Sequence, residues 1–144
     1  MYTIGQVSEL FALPISTLRY YEKEGLLLDV PRISGRRLYG EKELEALRVI
    51  ACLKESGLEI KDIKLFMQWC AAGPATYGKR KALFENRKAA VEAEISTLQK
   101  TLNMLNFKCW YYEKAMADGN EDAIQAMLPD RLPPEIQALY DNRN

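Results

Sequence analysis

The sequence predicts a mainly α fold in which a small domain built on a helix-turn-helix is followed by one long coiled-coil helix. Three observations support this prediction. Two short segments with helical apolar spacing lie within residues 3–25 and are separated by a proline. An arginine-rich stretch around Ser34-Gly35 then has the turn residues of a β-hairpin. Finally, residues 79–116 contain no glycine or proline, and their apolar residues recur at alternating steps of three and four.

The bulk composition is that of an ordinary globular chain. Of 144 residues, 48% are hydrophobic and 28% are charged. No apolar run approaches the roughly 18–20 residues that a membrane span requires. The first ten residues also lack the basic and apolar regions of a signal peptide. We therefore expect a cytoplasmic protein without a membrane partner.

Cysteine and histidine usage argues against enzymes and metal sites. Cys52, Cys70 and Cys109 are widely separated and form no CxxC pair, so we expect no disulfide framework and no thiolate metal site. Histidine, the commonest metal ligand and general base, is absent. A glycine-rich phosphate loop is absent as well. The sequence therefore predicts no enzymatic activity, no cofactor and no metal.

The formal net charge is zero, but the charges are unevenly distributed. Residues 79–117 carry eight Lys or Arg against four Asp or Glu, whereas residues 118–144 carry two against six. Three arginines, at positions 32, 36 and 37, cluster in one short stretch. Because an acidic tail masks basic regions elsewhere, the net charge does not exclude a nucleic-acid partner.

The first two predicted helices form the helix-turn-helix. Thr3 is a suitable N-cap for the first helix, and Leu13-Pro14 ends it. Ser16 is predicted to cap the second helix, which ends at Gly25. Two helices and a short turn within about 20 residues are typical of this motif. The apolar residues that recur at helical spacing are Ile4, Val7, Leu10 and Phe11 in the first helix and Leu18 and Tyr21 in the second.

A hairpin and two more helices complete the N-terminal domain. Residues 26–39 are predicted to form a two-stranded hairpin that turns near Ser34-Gly35. A third helix is expected from about Glu41 to Ser56, where Gly57 ends it, and a fourth over about residues 60–70. The combination predicts a winged helix-turn-helix, the hairpin being the wing.

The long helix carries an apolar seam of coiled-coil type. At 1.5 Å per residue it would be roughly 55 Å long, and a single helix of that length cannot bury its own apolar stripe. A second copy of the chain is therefore the expected partner. The predicted dimerisation residues are Phe84, Val91, Ile95, Leu98, Leu102, Leu105, Cys109, Tyr112 and Met116.

These segments define four regions along the chain. We predict a folded domain over residues 1–71, a linker over 72–78, the coiled-coil helix over 79–117 and an acidic tail over 118–144. Within the tail, residues 121–128 are expected to form a short helix. The prolines at positions 129, 133 and 134 indicate a loosely ordered remainder.

Four motifs in this order resemble the MerR family of bacterial transcription regulators. They are the opening Tyr2-Thr3-Ile4-Gly5-Gln6-Val7, the second-helix run Ile15-Ser16-Thr17-Leu18-Arg19-Tyr20-Tyr21-Glu22-Lys23-Glu24-Gly25-Leu26, the wing ending Arg36-Arg37-Leu38-Tyr39, and Gly57-Leu58-Glu59-Ile60 after the third helix. The resemblance covers residues 1–117 and leaves the tail unexplained. It implies a homodimer with an antiparallel coiled coil that binds promoter DNA and distorts it for RNA polymerase when an effector or stress signal is present.

The resemblance assigns most of the DNA contacts, and the position and chemistry of the side chains add Ser16, Arg32, Lys61 and Lys64. A helix fits the major groove with its N-terminal half against base edges, and wing arginines suit phosphates. Packing of Tyr39 against the third helix, and a solvated Arg32, are the alternatives. The predicted contacts are Ser16, Thr17, Arg19 and Tyr20 in the second helix, Arg32, Arg36, Arg37 and Tyr39 in the wing, and Lys61 and Lys64 in the fourth helix.

The effector class stays open between two hypotheses. Cys52 resembles in position the single cysteine of the subgroup that responds to aldehydes and electrophiles, and Arg48 and Lys54 would favour its reactive thiolate. A buried structural cysteine is the alternative. The second hypothesis is a small organic ligand bound by aromatic residues near the two ends of the long helix. The alternative is that these rings only pack against neighbouring residues. The aromatic residues are Trp69, Trp110, Tyr111 and Tyr112.

A coiled-coil adaptor that has lost DNA binding is the alternative function. The arginine-rich wing and the intact Arg19-Tyr20-Tyr21 favour the DNA-binding regulator instead. The two functions differ in salt dependence, because phosphate contacts make affinity fall steeply with ionic strength.

Overall fold

The computed structural model describes residues 1–27 and 29–144, so Leu28, which lies in the segment predicted to form the hairpin, is outside the described residues. These residues form two compact units, residues 1–87 and residues 88–144. The elements are β1 (Tyr2–Thr3), α1 (Ile4–Phe11), α2 (Ile15–Lys23), β2 (Arg32–Ile33), β3 (Arg36–Tyr39), α3 (Glu41–Glu55), α4 (Ile60–Ala72), a 3-10 turn (Pro74–Thr76), α5 (Tyr77–Asp118), α6 (Asp122–Met127) and α7 (Pro134–Asp141).

The helix-turn-helix is present, with one difference at the start of α2. Thr3 caps α1 as predicted: its hydroxyl accepts a hydrogen bond of 3.2 Å from the Gln6 amide, and the Gln6 side chain accepts one from the Thr3 amide. The prediction that Ser16 caps α2 is wrong. Pro14 is the N-cap residue, and its carbonyl oxygen accepts the first helical hydrogen bonds, from Thr17 and Leu18. Ser16 therefore lies inside the first turn of α2.

The wing is part of a three-stranded antiparallel sheet in the order β1-β3-β2. Ser34 and Gly35 both have positive φ, 53° and 76°, which is the backbone of a type I′ hairpin turn. Strand β1 was not predicted, because two residues carry no periodic signal of their own. Tyr2 and Thr3 pair with Tyr39 and Leu38, so the wing is fixed to the start of the chain.

One apolar core holds the first unit together. Its central side chains come from all four short helices and from the strand that ends the wing, and each is at most 2% exposed. Burial of a side chain of this kind contributes about 1.5–3 kcal/mol. The core fixes α2 and the wing on one support. These residues are Val7, Leu18, Tyr21, Tyr39, Leu44, Leu47, Ile50 and Ile63.

The segment predicted as a linker is an ordered corner. Helix α4 continues to Ala72, and α5 already begins at Tyr77. The Arg80 guanidinium donates hydrogen bonds to the carbonyl oxygens of Trp69 (3.0 Å) and Gly73 (2.9 Å), and to the Thr76 hydroxyl (3.0 Å). A cation at the C-terminus of a helix stabilises the free carbonyls there. The chain therefore turns from α4 into α5 without a flexible stretch.

The seam of α5 is exposed along most of its length. Ile95, Leu98 and Met116 are 60%, 67% and 83% exposed, and Cys109 is also exposed. Phe84 differs from the rest, since its ring also lies edge-on to Phe66 of α4, with the ring centroids 5.3 Å apart. A run of large apolar side chains in solvent is typical of a surface that another chain covers.

The prediction of a loosely ordered tail is wrong. After α6, a second short helix, α7, starts with Pro134 at its first position, where proline fits because no helical N–H is needed. The second unit has its own apolar cluster, centred on Phe107, Tyr111, Ile124 and Leu132, and α7 contributes partly buried side chains to it. The tail is therefore packed on α5.

Among residues 1–27 and 29–144, none of the helices is both long enough and apolar enough to cross a membrane.

Candidate nucleic-acid interface

Helix α2 presents one polar face to solvent and buries the other. Leu18 and Tyr21 are buried in the core, at 0% and 2% exposed. On the opposite side, Ser16, Arg19 and Tyr20 are exposed, and Thr17 is half-buried. This alternation follows from 3.6 residues per turn, which places positions 16, 19 and 20 on one face. The face carries a guanidinium and three hydroxyls, the donors that suit bases and phosphates.

Two wing arginines lie beside α2, where they pair with one carboxylate of that helix. Glu22 forms ion pairs with Arg32, at 3.3 Å, and with Arg37. Arg36, the first residue of β3, is exposed beside Arg37. Two arginines held at one place, with a third exposed nearby, give the wing the positive charge expected of a phosphate-binding element.

Glu22 is the residue of this candidate surface that the sequence reasoning missed. It is the only acidic residue of α2, and it is followed within fifteen positions by three arginines. That charge pattern was a signal for it, although the ion pairs themselves depend on the tertiary fold.

Tyr39 corrects one predicted contact. Its side chain is 0% exposed, so the prediction that it touches DNA directly does not hold in this structure, and the alternative of wing packing does. Its hydroxyl has no hydrogen-bond partner among the described residues. Burial, and then the negative charge of Glu22, raise the pKa of Tyr39 above its ordinary value near 10, against smaller opposite effects of Arg37, Arg19 and Arg32.

The two predicted lysines of α4 lie at its first turns. Lys61 is exposed and pairs with Glu59 at 3.5 Å. Lys64 is half-buried, and its Cε lies 3.5 Å from where a Cβ on Gly25, just after the end of α2, would stand. Lys64 is therefore beside the end of the helix that carries Arg19.

The residues assigned to an effector have different surroundings. Cys52 is exposed, contrary to the alternative of a buried cysteine. Tyr111 is buried, and its hydroxyl donates to Glu121 and accepts from the Gln125 amide at 2.8 Å. Its ring serves the packing of the tail, so it is not free to line a ligand pocket. Trp110 packs on the same cluster, whereas Tyr112 is 57% exposed.

The backbone of Trp69 stabilises the corner between α4 and α5. Its carbonyl oxygen accepts hydrogen bonds from both Arg80 and the Thr76 hydroxyl, while its side chain is half-buried. Trp69 therefore contributes to the first unit through the hydrogen bonds that its carbonyl oxygen accepts.

Comparison with known proteins places this geometry in a family. Residues 2–69 match the description "MerR HTH family regulatory protein". An HTH-type transcriptional regulator of Haemophilus influenzae is 38% identical over 85% of this chain and 92% of its own length. The chain belongs to the MerR family. It is a transcription regulator of the MerR type, as the resemblance of its motifs predicted.

Two other MerR-type proteins extend the likeness. The regulator ZntR of Escherichia coli K12 is 30% identical over 76% of this chain and 81% of its own length. The crystal structure of HiNmlR, described as a MerR family regulator lacking the sensor domain and bound to promoter DNA, is 38% identical. It covers 85% of this chain and 98% of its own, with a TM-score of 0.63. The likeness therefore extends beyond the helix-turn-helix.

Proposed function

We propose that this MerR-type regulator binds promoter DNA sequence-specifically as a homodimer and distorts it in response to an effector or stress signal. The observation that carries the proposal is the polar face of α2 beside the wing. Ser16, Arg19 and Tyr20 are exposed on that face, and Glu22 of the same helix holds two wing arginines. A helix in the major groove flanked by arginines on phosphates combines base contacts with positioning contacts.

Promoter DNA as the partner is also supported by a similar protein. HiNmlR, with 38% identity, is described in its complex with promoter DNA. In this chain, Ser16, Thr17 and Arg19 would lie against base edges. Phosphate contacts would come from Tyr20, Arg32, Arg36, Arg37, Lys61 and Lys64.

The homodimer is proposed from the exposed seam of α5. Leu98 and Leu102 are 67% and 49% exposed, although they belong to an apolar repeat of more than four heptads. In the proposed antiparallel pair, residues 1–71 bind DNA, 72–78 form the corner, 79–117 dimerise and 118–144 cap the end of the helix. RNA polymerase would be affected indirectly, through the shape of the promoter.

The class of activity and the location are part of the same proposal. Relatives of this chain are transcription regulators, and we propose that it acts by binding alone, in the cytoplasm where promoter DNA is present. For the signal, an electrophile that reacts with the exposed Cys52 and a small organic ligand near Trp110 and Tyr112 are the two proposed classes.

Selection of duplexes from a random DNA pool tests this function. The purified protein is mixed with the pool, bound duplexes are recovered over several rounds, and the survivors are sequenced. A two-fold symmetric consensus, with an affinity that falls steeply as salt rises, is the expected result. Recovery of no consensus even at low salt would contradict it and favour a coiled-coil adaptor.

A further inference from the structure

One carboxylate joins helix α2 to both strands of the wing. Glu22 accepts a hydrogen bond at Oε1 from Arg32 Nη2, at 3.3 Å, and one at Oε2 from Arg37 Nε. Arg32 is in β2 and Arg37 is in β3, and the two are directly opposite each other in the ladder. Each oxygen of the carboxylate is therefore used by a different strand.

The cross-strand pair needs a shared anion. Like charges directly opposite each other in an antiparallel pair destabilise a sheet. Strand β2 has only two residues, so it has little ladder of its own to offset that repulsion. The Glu22 carboxylate lies between the two guanidinium groups and turns a repulsive pair into two attractive contacts.

The two arginines are not equally exposed. The side chains of Glu22 and Arg37 are 20% and 24% exposed, whereas that of Arg32 is 52% exposed. A partly buried, charged hydrogen bond is stronger than an ion pair in open solvent. The Glu22–Arg37 ion pair is thus the stronger of the two, whereas the more exposed Arg32 side chain is accessible to a phosphate.

We propose that Glu22 is a positioning residue for DNA binding, which orders the wing against α2 through Arg37 without touching DNA itself. The inference rests on the proposed function, since it assigns how the DNA-binding surface is preorganised. A wing that is already ordered loses less conformational freedom on binding, and this raises affinity.

The sign of the charge effect separates this role from simple electrostatics. A carboxylate close to DNA repels phosphates, so its removal should by itself strengthen binding. If Glu22 orders the wing, its removal weakens binding instead. The matched control is Glu24, which follows α2 directly as its C-cap residue and has no ion pair within the described parts of the chain.

The test compares Glu22→Gln with Glu24→Gln in the full-length protein. Fluorescence anisotropy with the selected duplex should show Glu22→Gln about tenfold weaker than wild type, the loss of one charge-assisted contact. Glu24→Gln should bind as well as wild type or slightly better. A double variant with Arg37→Gln should be no weaker than Arg37→Gln alone. Equal or tighter binding by Glu22→Gln would overturn the proposal.

A second readout does not depend on DNA. Hydrogen exchange of the free protein should show faster exchange of the wing amides, residues 32–39, in Glu22→Gln but not in Glu24→Gln. Unchanged wing exchange overturns the role of Glu22 even if DNA binds, whereas failure of wild type to select DNA overturns the proposed function alone. Should Glu22→Gln not fold, Arg37→Lys keeps the charge and withdraws the Nε donor. Its wing amides are then expected to exchange faster, and unchanged exchange counts against the proposal.

Discussion

The ring of Tyr140 lies edge-on to the ring of Phe107, with the two ring centroids 5.2 Å apart. Tyr140 is in α7 near the end of the chain, and Phe107 is in the long helix. Asn103, one turn before Phe107, also donates a hydrogen bond of 2.9 Å from its side chain to the Asn142 carbonyl oxygen. Aromatic pairs of this geometry contribute about 0.5–1.5 kcal/mol beyond their buried area. The acidic tail is thereby a folded part of the second unit.

Ile124→Ala should release this tail. Ile124 is fully buried at the centre of the second cluster, and truncation of such a side chain costs about 2–5 kcal/mol. Hydrogen exchange of residues 122–141 should become much faster, while residues 1–87 exchange as before. The exposed neighbour gives the control, Ala123→Ser, which should leave exchange unchanged. Wild-type protection in Ile124→Ala would show that the cluster does not hold the tail.

Charged residues in the α5 seam should produce monomers. Leu98→Glu with Leu102→Glu places two carboxylates in the proposed dimer interface, where burial of an unpaired charge is strongly unfavourable. Sedimentation should give the mass of one chain, about 16.5 kDa. Ala89→Glu with Ala93→Glu adds the same charge on the opposite face and should remain dimeric. A dimeric seam variant would place the interface elsewhere.

Two glycine substitutions should have opposite effects on stability. Gly57 has φ +84°, a left-handed backbone that disfavours a Cβ, and a Cβ there would also displace the guanidinium of Arg87, whose Nε donates to the Ser56 carbonyl. Gly57→Ala should therefore lower the free energy of unfolding by about 1–2 kcal/mol. Gly78 lies in α5 with open space around it, so Gly78→Ala should raise that free energy by roughly 0.5 kcal/mol. Urea unfolding measures both, and equal midpoints would contradict the prediction.

The two classes of proposed DNA contact should differ in their salt dependence. Arg19→Ala removes a proposed base contact, so it should cost about 1–3 kcal/mol on the selected site and relax specificity there. Arg36→Ala removes a proposed phosphate contact, which should weaken binding to all sequences alike and reduce the salt slope by about 1. Binding titrations at several salt concentrations separate the two. If Arg19→Ala binds the selected site like wild type, Arg19 does not read a base.

The raised pKa of Tyr39 should lower the free energy of unfolding at alkaline pH. Burial and Glu22 raise the pKa of Tyr39 in the folded state above 10. Well below pH 10 both states are protonated, and there is no effect. As pH rises above 10, the unfolded chain ionises first and the free energy of unfolding falls. Tyr39→Phe should remove this part of the loss, while at pH 7 its unpartnered hydroxyl makes the change nearly neutral. Tyr20→Phe is the control, and parallel pH profiles of Tyr39→Phe and wild type would refute the assignment.

Elements with a strong local signal could be predicted from the sequence. Helices α1, α3 and α4 and the Ser34-Gly35 turn follow from spacing, caps and turn residues. Strand β1 could not be predicted in this way, because only its pairing with Tyr39 and Leu38 makes it a strand. In the tail, the prolines at positions 129, 133 and 134 predict loose order, but Pro134 stands at the first position of α7, where proline favours the start of a helix.

The same distinction applies to the candidate site. The exposure of Arg19 follows from its position on the helix relative to Leu18 and Tyr21. The burial of Tyr39 does not follow from its position in the sequence, because a residue at the end of a strand can either pack in the core or contact DNA. The Glu22 ion pairs span 10 and 15 positions in sequence, and only the docking of the wing on α2 brings these groups together.

The position of Cys109 has a consequence for how two chains align. This thiol is exposed on the apolar seam, close to one end of the long helix. Side by side in the same direction, two copies would bring their thiols within disulfide range. Pairing in opposite directions about Leu98 would separate the thiols by roughly 30 Å, at 1.5 Å per residue. Air oxidation of the dimer therefore distinguishes the two directions of pairing. A disulfide between the two Cys109 thiols would indicate parallel helices, whereas thiols that stay reduced would indicate antiparallel ones.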